Sequence, residues 1–564
     1  MLDNAKKNGG QIIADHIISN GIERVFSVPG ESFLGVMDAL YDRSNEIQFV
    51  NCRQEGGAAF MAAAYGKLTG KPGVCFVTRG PGATNASIGV HVAKQDSVPM
   101  ILFVGQVSVT SSHRDAFQEI DIPAMFKPLA KWAIQIDDAE RLPELINRAI
   151  KIATSGRPGP VVIGIPEDMQ MQLTDASEVA PNVPITASPS TGQIKRLGAL
   201  ISKAQQPVIM LGASTWNSSA CNQIEEFAKR HDIPVVAGFR CQDKINNDHP
   251  NYIGGIGPGT PPHITNLING SDLFICLGVE LSEIVTQGFS QFTYPRMKQT
   301  LVHVHPEEEE LGRIYQPELA IQSGLAEFAS SVADKTFKVN AKKTVKTKEL
   351  RQQYEKFVTP STCPGDVHIG EILSWLDRRL PNNAIVSCGA GNYTHWILRF
   401  IQHRQFGTQL APLGAVMGYS VPAAIAASIQ YPDRISIAFA GDGCFLMNAQ
   451  EIATAKMYGA SPIIIIINNG IYGAIRMHQE RIFPTRTIGT DLVNPDFVAY
   501  AKSFGANAYQ ITKTEDFEEA FEAAVTNQGP SIIELVVSEE AISPAFTLSE
   551  LIEQSIEKKN KGNV

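Results

Sequence analysis

The sequence lacks any long apolar stretch. No segment approaches the roughly 20 consecutive apolar residues of a membrane-spanning helix, and the isoleucine run at 463–467 has only the length of a strand. The first residues, MLDNAKKNGGQIIADHII, lack the apolar core and the small-residue cleavage site of a secretory signal peptide. These two absences predict a cytoplasmic protein without a membrane segment.

Positive charge and paired cysteines are also scarce. Lys and Arg number 48 against 57 Asp and Glu, and the net charge of −9 leaves no basic face for a nucleic acid. The eight cysteines are scattered without a CxxC pair or a nearby histidine partner, which argues against structural zinc and against a disulfide framework. We therefore expect reduced, mostly buried cysteines and small-molecule ligands.

The chain is too long and too apolar for a single core. With 564 residues, 44% of them hydrophobic, it should form about three domains. Three stretches alternate short β-branched runs with helix-like segments, which predicts an α/β protein with three consecutive doubly wound parallel-sheet domains. Polar linkers at 171–192 and 336–364 separate them. The predicted domains are residues 1–170, 192–335 and 365–545, followed by a C-terminal tail, 546–564, whose last residues, IEKKNKGNV, are expected to be disordered.

The clearest motif lies in the last domain. In ISIAFAGDG a strand ends just before Asp442, and a helix is expected to follow at about 448–458, with Met457 among the residues available for packing. PIIIIINNG is a second buried strand that ends near Asn469, 27 residues after Asp442. Because ligands of open α/β sheets bind at the carboxyl ends of strands, the two side chains should meet there. A carboxylate and an amide oxygen, completed by a main-chain carbonyl and phosphate oxygens, suit Mg²⁺. The competing interpretation is an ordinary βαβ unit with a chance GDG.

This motif resembles the diphosphate-binding motif of thiamine-diphosphate-dependent enzymes. The resemblance implies that Asp442, Asn469 and the carbonyl of Ile471 hold Mg²⁺, with Gly441 and Gly443 beside the cofactor. The first domain would then be the pyrimidine-binding domain and the third the diphosphate-binding domain.

Two further segments fit the same family. IQFVNCRQEGGAAFMAAAYG places Glu55 where the family has the glutamate that drives the aminopyrimidine to its imino tautomer, although an isolated glutamate there would be read as a solvated acid at a helix N-terminus. LGAVMGYSVPAAIAA places Met417 at the family's wedge between the two cofactor rings and the carbonyl of Ala415 near the exocyclic nitrogen. In this family Glu55 serves the cofactor of another subunit, which implies at least a homodimer.

Within the family, the resemblance is strongest to the acetolactate synthase large-subunit branch. KPGVCFVTRGPGATN, DSVPMILFVGQV and SGRPGPVVIGIPEDMQ look like that branch, whose active-site phenylalanine and glutamine carry over to Phe117 and Gln118. Phe117 could equally belong to the core.

Other positions depart from that branch. Glu31 replaces a glycine after the Pro-Gly turn, where decarboxylases have a proton-handling aspartate, and it is either a group at the reaction centre or a surface acid. His478 replaces a tryptophan and is either catalytic or a structural hydrogen-bonding residue. Ile475 stands where decarboxylases carry a glutamate, which disfavours a pyruvate-decarboxylase mechanism.

The middle domain gives little sign of a flavin. The segment GVELSEI lacks both arginines of the synthase FAD motif, and the glycines of GGIGPG are a weak nucleotide signal, so no tightly held FAD is expected. The pair His303 and His305 has no third ligand and is expected to be structural rather than metal-binding.

The resemblance predicts an enzyme that uses thiamine diphosphate and Mg²⁺ to decarboxylate a 2-oxoacid and join the enamine to a second carbonyl, as in acetolactate formation. The alternatives are a lyase or acyl transferase acting on another donor (a 2-hydroxy ketone, a cyclic dione or a sulfonated aldehyde) and a non-catalytic cofactor-binding paralogue. A dimer of dimers and a small regulatory subunit are further expectations from the family.

Overall fold

Three parallel sheets organise the protein. The computed structural model describes residues 6–175 and 181–561. Each of the three sheets has six parallel strands. A separate, short antiparallel ladder pairs residues 7–8 with residues 173–174. Helices connect successive strands throughout the first and third sheets and at two of the five connections of the second sheet. The predicted α/β fold class is confirmed.

The first sheet has the order β3-β2-β4-β5-β7-β6. The strands of this region are β1 (Lys7–Asn8), β2 (Arg24–Ser27), β3 (Gln48–Asn51), β4 (Gly73–Thr78), β5 (Met100–Gln106), β6 (Trp132–Gln135), β7 (Pro160–Pro166) and β8 (Leu173–Thr174). The helices are α1 (Gly9–Ser19), α2 (Leu34–Asp42), α3 (Glu55–Thr69), α4 (Arg79–Gln95), α5 (Ile122–Phe126), α6 (Leu142–Thr154) and α7 (Glu167–Met171). The α2, α3, α4 and α7 helices follow the carboxyl ends of four strands, so their first residues share one edge of the sheet.

The second sheet has the order β11-β10-β9-β12-β13-β14. Its strands are β9 (Pro207–Leu211), β10 (Val235–Ala237), β11 (Tyr252–Gly255), β12 (Leu273–Leu277), β13 (Thr300–His305) and β14 (Leu319–Gln322). The accompanying helices are α8 (Thr191–Lys203), α9 (Ser218–His231), α10 (Pro262–Gly270), α11 (Leu325–Val332) and α12 (Thr347–Phe357).

The third sheet has the order β16-β15-β17-β18-β20-β19. Its strands are β15 (Ile385–Cys388), β16 (Gln409–Leu410), β17 (Ser436–Gly441), β18 (Ile463–Asn468), β19 (Asn507–Ile511) and β20 (Ser531–Val536). The helices are α13 (Ile369–Arg379), α14 (Tyr393–Phe400), α15 (Ser420–Gln430), α16 (Asp442–Phe445), α17 (Ile452–Met457), α18 (Gly473–Ile482), α19 (Phe497–Ser503), α20 (Phe517–Thr526) and α21 (Leu548–Asn560).

The contacts within the chain divide it into two compact units. The first unit comprises the described residues up to 185 together with 425–432 and 448–460, and the second unit comprises the rest. The second and third sheets therefore share one unit, while α17 belongs to the unit of the first sheet. Of the first polar linker, residues 176–180 lie outside the described part of the chain.

Three segments differ from the sequence predictions. The second linker contains α12, because Tyr354 buries its ring in the core of the second sheet. The tail is not disordered as far as Asn560, because α21 packs Leu548 and Leu551 against Ile471. The helix expected at 448–458 begins as a 3₁₀ turn and ends at Met457, which is exposed rather than packed.

The cysteines and His303 lie in the cores of the sheets. All eight cysteines are free and buried. His303 is buried, its Nε2 lies 2.9 Å from the carbonyl of Val279, and burial lowers its pKa to about 4, so the neutral ring is a hydrogen-bonding residue of the core. None of the helices within 6–175 and 181–561 is long and apolar enough to cross a membrane.

Candidate functional site

The carboxyl ends of β17 and β18 are neighbours in the third sheet. The strands pair in parallel with Gly441 opposite Ile467, so Asp442 follows one strand end and Asn468 completes the other. The isoleucines of β18 are buried on both faces of the sheet, as expected for a central parallel strand, and the chain becomes polar where the strand leaves the core. The predicted adjacency of the two strand ends is confirmed.

Asp442 is a buried carboxylate held by neutral groups. It is 3% exposed, and its Oδ2 accepts hydrogen bonds from the backbone N–H of Gly470 at 3.0 Å and from Nδ2 of Asn494 at 2.8 Å. Burial raises the pKa of this carboxyl group. Neutral donors orient the carboxylate without neutralising it, which leaves its charge available for a cation.

The two asparagines after β18 have different surroundings. Asn468 Oδ1 accepts from Gly470 N–H at 3.2 Å and from Asn494 Nδ2 at 3.1 Å, so Asn494 ties it to Asp442. Asn469 Oδ1 receives only a longer contact, 3.3 Å, from the N–H of Ile471. Asn468 therefore shapes the loop, whereas Asn469 is the less strongly engaged amide and keeps capacity for a ligand.

The donor set fits a hard cation. A carboxylate, an amide oxygen and the carbonyl of Ile471 are all oxygen ligands of the kind that Mg²⁺ binds. Within 6–175 and 181–561, no group of three or more His, Cys, Asp or Glu side chains could hold a metal ion. A cation at this loop would thus need amide, carbonyl and external oxygens beside Asp442. Asn494, 52 residues after Asp442, was missed because nothing in its local sequence marks it.

A cavity of about 260 Å³ opens beside this loop. Two glycines of the GDG motif maintain its shape: a Cβ on Gly443 would lie 2.4 Å from Cε1 of Tyr472, and a Cβ on Gly441 would lie 3.2 Å from Cδ1 of Tyr393. The lining includes Ala390, Gly391, Asn392, Tyr393, Ala415, Met417, Gly441, Asp442, Gly443, Cys444, Asn469, Ile471, Tyr472 and Ile475. The predicted metal and cofactor residues of the second unit therefore share one cavity.

Ala415 and Met417 line the same cavity. Ala415 has a φ of +47°, which costs a residue with a Cβ about 1–2 kcal/mol, and its N–H donates to the carbonyl of Pro412 at 3.0 Å. Met417 is half-buried against the core of the third sheet. A strained backbone that is held in place at a cavity wall is typical of a functional segment.

Comparisons with known proteins agree with this geometry. Residues 7–125, 194–332 and 389–535 match the N-terminal TPP binding domain, the central domain and the C-terminal TPP binding domain of thiamine pyrophosphate enzymes. The acetolactate synthase large subunit of Corynebacterium glutamicum is 31% identical, covering 95% of this chain and 88% of the relative. That of Cyanidium caldarium is 30% identical (94% and 93%), and the isozyme 2 large subunit of Escherichia coli K12 is 28% identical (97% and 100%). The chain belongs to the acetolactate synthase family of thiamine pyrophosphate enzymes.

In this thiamine-diphosphate-dependent enzyme, Glu55 is the first residue of α3 in the first unit. Its half-buried carboxylate accepts a hydrogen bond from Nδ2 of Asn85 at 2.8 Å. Gln54 caps the helix, since its side chain accepts from the N–H of Gly57 at 2.9 Å. Because Gln54 is the N-cap of α3, the Glu55 side chain is not needed for capping.

An arginine that the sequence reasoning missed organises the other strand ends of the first unit. Arg79 follows β4 with a φ of +41°, and its buried guanidinium lies 3.3 Å from Glu31 and 3.0 Å from Glu167. It also donates to the carbonyl of Phe117 at 3.3 Å. The sequence contains a signal for it, a charged residue at a strand end in TRGPG, which could have been weighed with Glu31.

Phe117 and Gln118 lie on a loop that this arginine segment holds. Phe117 is 72% exposed, which rules out the alternative that it is a core residue in the isolated chain. Gln118 has a φ of +65°, and its carbonyl accepts from the N–H of Gly80 at 2.9 Å. The loop is therefore fixed through its backbone, and both side chains remain available.

The two positions on α18 differ in their access to the cavity. Ile475, which stands where the decarboxylases carry a glutamate, lines the cavity with an apolar side chain. His478 is exposed on α18 and is absent from the cavity wall. The geometry of the second unit gives no support to a catalytic His478 over a structural one.

Proposed function

We propose that this enzyme decarboxylates a 2-oxoacid and joins the resulting acyl unit to a second carbonyl compound, with acetolactate formation from two pyruvates as its specific reaction. The observation that carries the proposal is the loop after β17 and β18, where buried Asp442 and the less engaged Asn469 border one cavity. The synthase relatives favour this reaction over other donors and over a non-catalytic role.

The cofactor residues have distinct tasks in this proposal. Asp442, Asn469 and the carbonyl of Ile471 would hold Mg²⁺ against the diphosphate of thiamine diphosphate, while Gly441 and Gly443 leave room for it. Met417 would fix the angle between the two cofactor rings, and the carbonyl of Ala415 would accept from the exocyclic nitrogen. When bound, the cofactor supplies the electron sink that decarboxylation requires.

Glu55 would hold a proton at N1′ of the aminopyrimidine. Asn85 orients its carboxylate for this task. The family arrangement puts Glu55 against the cofactor of a partner subunit, so the working unit is at least a homodimer, and we extend this to a dimer of dimers. A small regulatory subunit would join this assembly. The enzyme would be located in the cytoplasm.

The substrate would be read at the strand ends of the first sheet. Gln118 and Phe117 would line the path of the second substrate, with Glu31 at the reaction centre and Arg79 holding the loop. His478 is retained as a candidate substrate contact in the assembled enzyme. We also propose that the three domains comprise residues 1–170, 192–335 and 365–545. The middle domain would hold no FAD tightly.

The test is carbon dioxide release from pyruvate by purified protein supplied with thiamine diphosphate and Mg²⁺ but without FAD, with product analysis in the same reaction. Acetolactate is the expected product. Acetaldehyde alone would contradict the carboligation step. Bound cofactor without turnover of pyruvate would contradict the proposed substrate, and activity that requires added FAD would contradict flavin independence.

A further inference from the structure

A buried glutamate of the first unit sits at the turn that carries Glu55. Glu451 belongs to the 3₁₀ turn before α17 and is completely buried. Its Oε1 accepts hydrogen bonds from the backbone N–H groups of Arg53 at 3.1 Å and of Gln54 at 3.0 Å. These two residues immediately precede Glu55, so one side chain holds the backbone just before the proposed proton-handling group.

The contact is tightly built on both sides. Thr454 donates its hydroxyl to Oε2 of Glu451 at 2.5 Å. A Cβ on Gly57 would lie 2.7 Å from Oε1 of Glu451, so only glycine allows this approach. Burial raises the pKa of the Glu451 carboxyl group, and the surrounding donors counteract that rise. An acceptor this deeply buried and this closely surrounded is costly to displace.

The same segment holds the strand that leads into the turn. The hydroxyl of Tyr458 accepts from the N–H of Asn51 at 2.7 Å and donates to the carbonyl of Phe49 at 2.9 Å. Glu451 and Tyr458 thus fix the chain from the end of β3 to the start of α3. Residues 448–460 supply both contacts although they follow the Asp442 motif by only a few residues.

We propose that Glu451 is a positioning residue for Glu55. It fixes the backbone of Arg53 and Gln54 and thereby sets where the Glu55 carboxylate stands relative to the aminopyrimidine. The proposal rests on the role assigned to Glu55 above. Glu451 also follows a proposed Mg²⁺ ligand, Asp442, by only nine positions in the sequence.

The first readout needs no cofactor. In Glu451→Gln the amide retains the shape but loses the charge, and one of its orientations opposes the two backbone N–H groups with another donor. Amide hydrogen exchange of the peptide covering 51–57 in the cofactor-free protein should become about tenfold faster or more. Tyr458→Phe should give a smaller increase at Asn51 and provides a second variant if Glu451→Gln does not fold.

The second readout reports on Glu55. Proton exchange at C2 of bound thiamine diphosphate should slow about 10- to 100-fold in Glu451→Gln, and kcat should fall with it. The KM for the 2-oxoacid and the Kd for thiamine diphosphate should stay within about threefold, because the diphosphate is held by the other unit's residues. A merely structural role would lower the folded fraction and leave the C2 exchange rate of the folded enzyme unchanged.

Glu225→Gln is the matched control. Glu225 is also a partly buried glutamate on a helix, its Oε1 accepts a backbone N–H, that of Asn246, at 2.6 Å, and burial raises its pKa. This variant should leave both readouts at wild-type values.

Three outcomes would overturn the proposal. Unchanged amide exchange at 51–57 in Glu451→Gln would show that the contact does not order the turn. Faster amide exchange with unchanged C2 exchange would show that the turn does not position Glu55. Wild-type enzyme that binds thiamine diphosphate without any C2 proton exchange would remove the proposed function itself, and the positioning role with it.

Discussion

The carboxyl edges of the first and third sheets hold their polar groups in different ways. At the third sheet Asp442 is 3% exposed, and neutral N–H donors from the adjacent loop and from Asn494 fix it. At the first sheet the side chains of Glu31 and Glu167 are 68% and 42% exposed and depend on one buried arginine, Arg79. One edge is ordered by burial, and the other is ordered by charge.

This difference separates a fixed function from a variable one. A buried carboxylate with neutral partners tolerates little change, which suits the binding of a cofactor. Exposed carboxylates gain little from ion pairing in water, so exchanging them costs little stability and can alter which substrate is accepted. We therefore expect substitutions at the third sheet to abolish cofactor-dependent steps and those at the first sheet, Glu55 excepted, to change substrate preference.

The largest effect should come from Glu55, the exception on the first sheet. Glu55→Gln should bind thiamine diphosphate normally but slow C2 proton exchange and turnover by about 10²- to 10⁴-fold, because the amide cannot hold the proton at N1′. Proton exchange at C2 is measured by NMR after acid quench. The control is Glu46→Gln, which removes the charge of an exposed glutamate that pairs with Arg43. Unchanged activity in Glu55→Gln would refute the assigned role.

Asp442→Ala should come next. Loss of the proposed charged ligand of a buried cation should cost about 3–5 kcal/mol, so the affinity for Mg²⁺ and thiamine diphosphate should fall about 10²- to 4 × 10³-fold. Isothermal titration measures both affinities. Asp491→Asn, an exposed aspartate paired with Arg476, is the control and should bind normally. Equal affinities in the two variants would exclude Asp442 as a ligand.

Asn494→Ala tests whether neutral hydrogen bonds order the third sheet's edge. Its Nδ2 joins Asp442 to Asn468, and loss of such a supporting contact typically lowers metal affinity about 10- to 100-fold. Titration with Mg²⁺ at saturating thiamine diphosphate measures the change. Asn527→Ala removes another amide hydrogen bond, to Tyr509, and should have no effect on Mg²⁺.

The sequence predicted the third sheet's edge better than the first. The GDG motif and the isoleucine strand are close in sequence and belong to successive strands, and the rules for connections in parallel sheets make those strands neighbours, so the meeting of the two strand ends could be derived. Asn494 could not be derived, because it reaches the site through a loop with no periodic pattern. Glu451 was likewise treated as part of a helix, since burial of a carboxylate against a backbone turn leaves no sequence signature.

The arrangement at the first sheet was harder to predict for a physical reason. Glu31, Arg79 and Glu167 follow three separate strands, and the pairing of their side chains depends on rotamers rather than on register. The carbonyl of Phe117, which Arg79 also contacts, comes from a loop. Disorder of the last residues, IEKKNKGNV, was predicted because chain termini are usually poorly ordered. That prediction was wrong through Asn560 because the spacing of Leu548 and Leu551 gives α21 one apolar face to pack.

Arg79→Ala should test whether charge orders the first sheet's edge. Its loss leaves two carboxylates unpaired and frees the loop of Phe117, so kcat/KM should fall about tenfold with a changed preference among 2-oxoacid acceptors. Competition between acceptor pairs measures this preference. Arg79→Lys retains the charge without the planar fork and should fall between wild type and Arg79→Ala. A uniform loss for all acceptors would contradict a role in selection.

The smallest effect should be a pH dependence of stability, which arises from histidines buried in the second unit. Burial lowers the pKa of His303, His395 and His403 to about 4 each. The unfolded chain, with histidine pKa values of about 6.5, therefore binds more protons than the folded chain between about pH 6.5 and 4. The free energy of unfolding should be fully present above pH 6.5 and should decrease as the pH falls to 4.

His303→Gln isolates one of these contributions. Glutamine can keep the hydrogen bond to the carbonyl of Val279 but cannot be protonated, so the loss of unfolding free energy between pH 7 and 5 should shrink by about 1–2 kcal/mol. Urea unfolding at both pH values measures the change, with the exposed His113→Gln as the control. The packing that buries Asp442 in the second unit also buries these histidine rings and keeps them neutral. If His303→Gln and His113→Gln showed the same pH dependence of unfolding, water would reach His303 more easily than the packing of the second unit indicates.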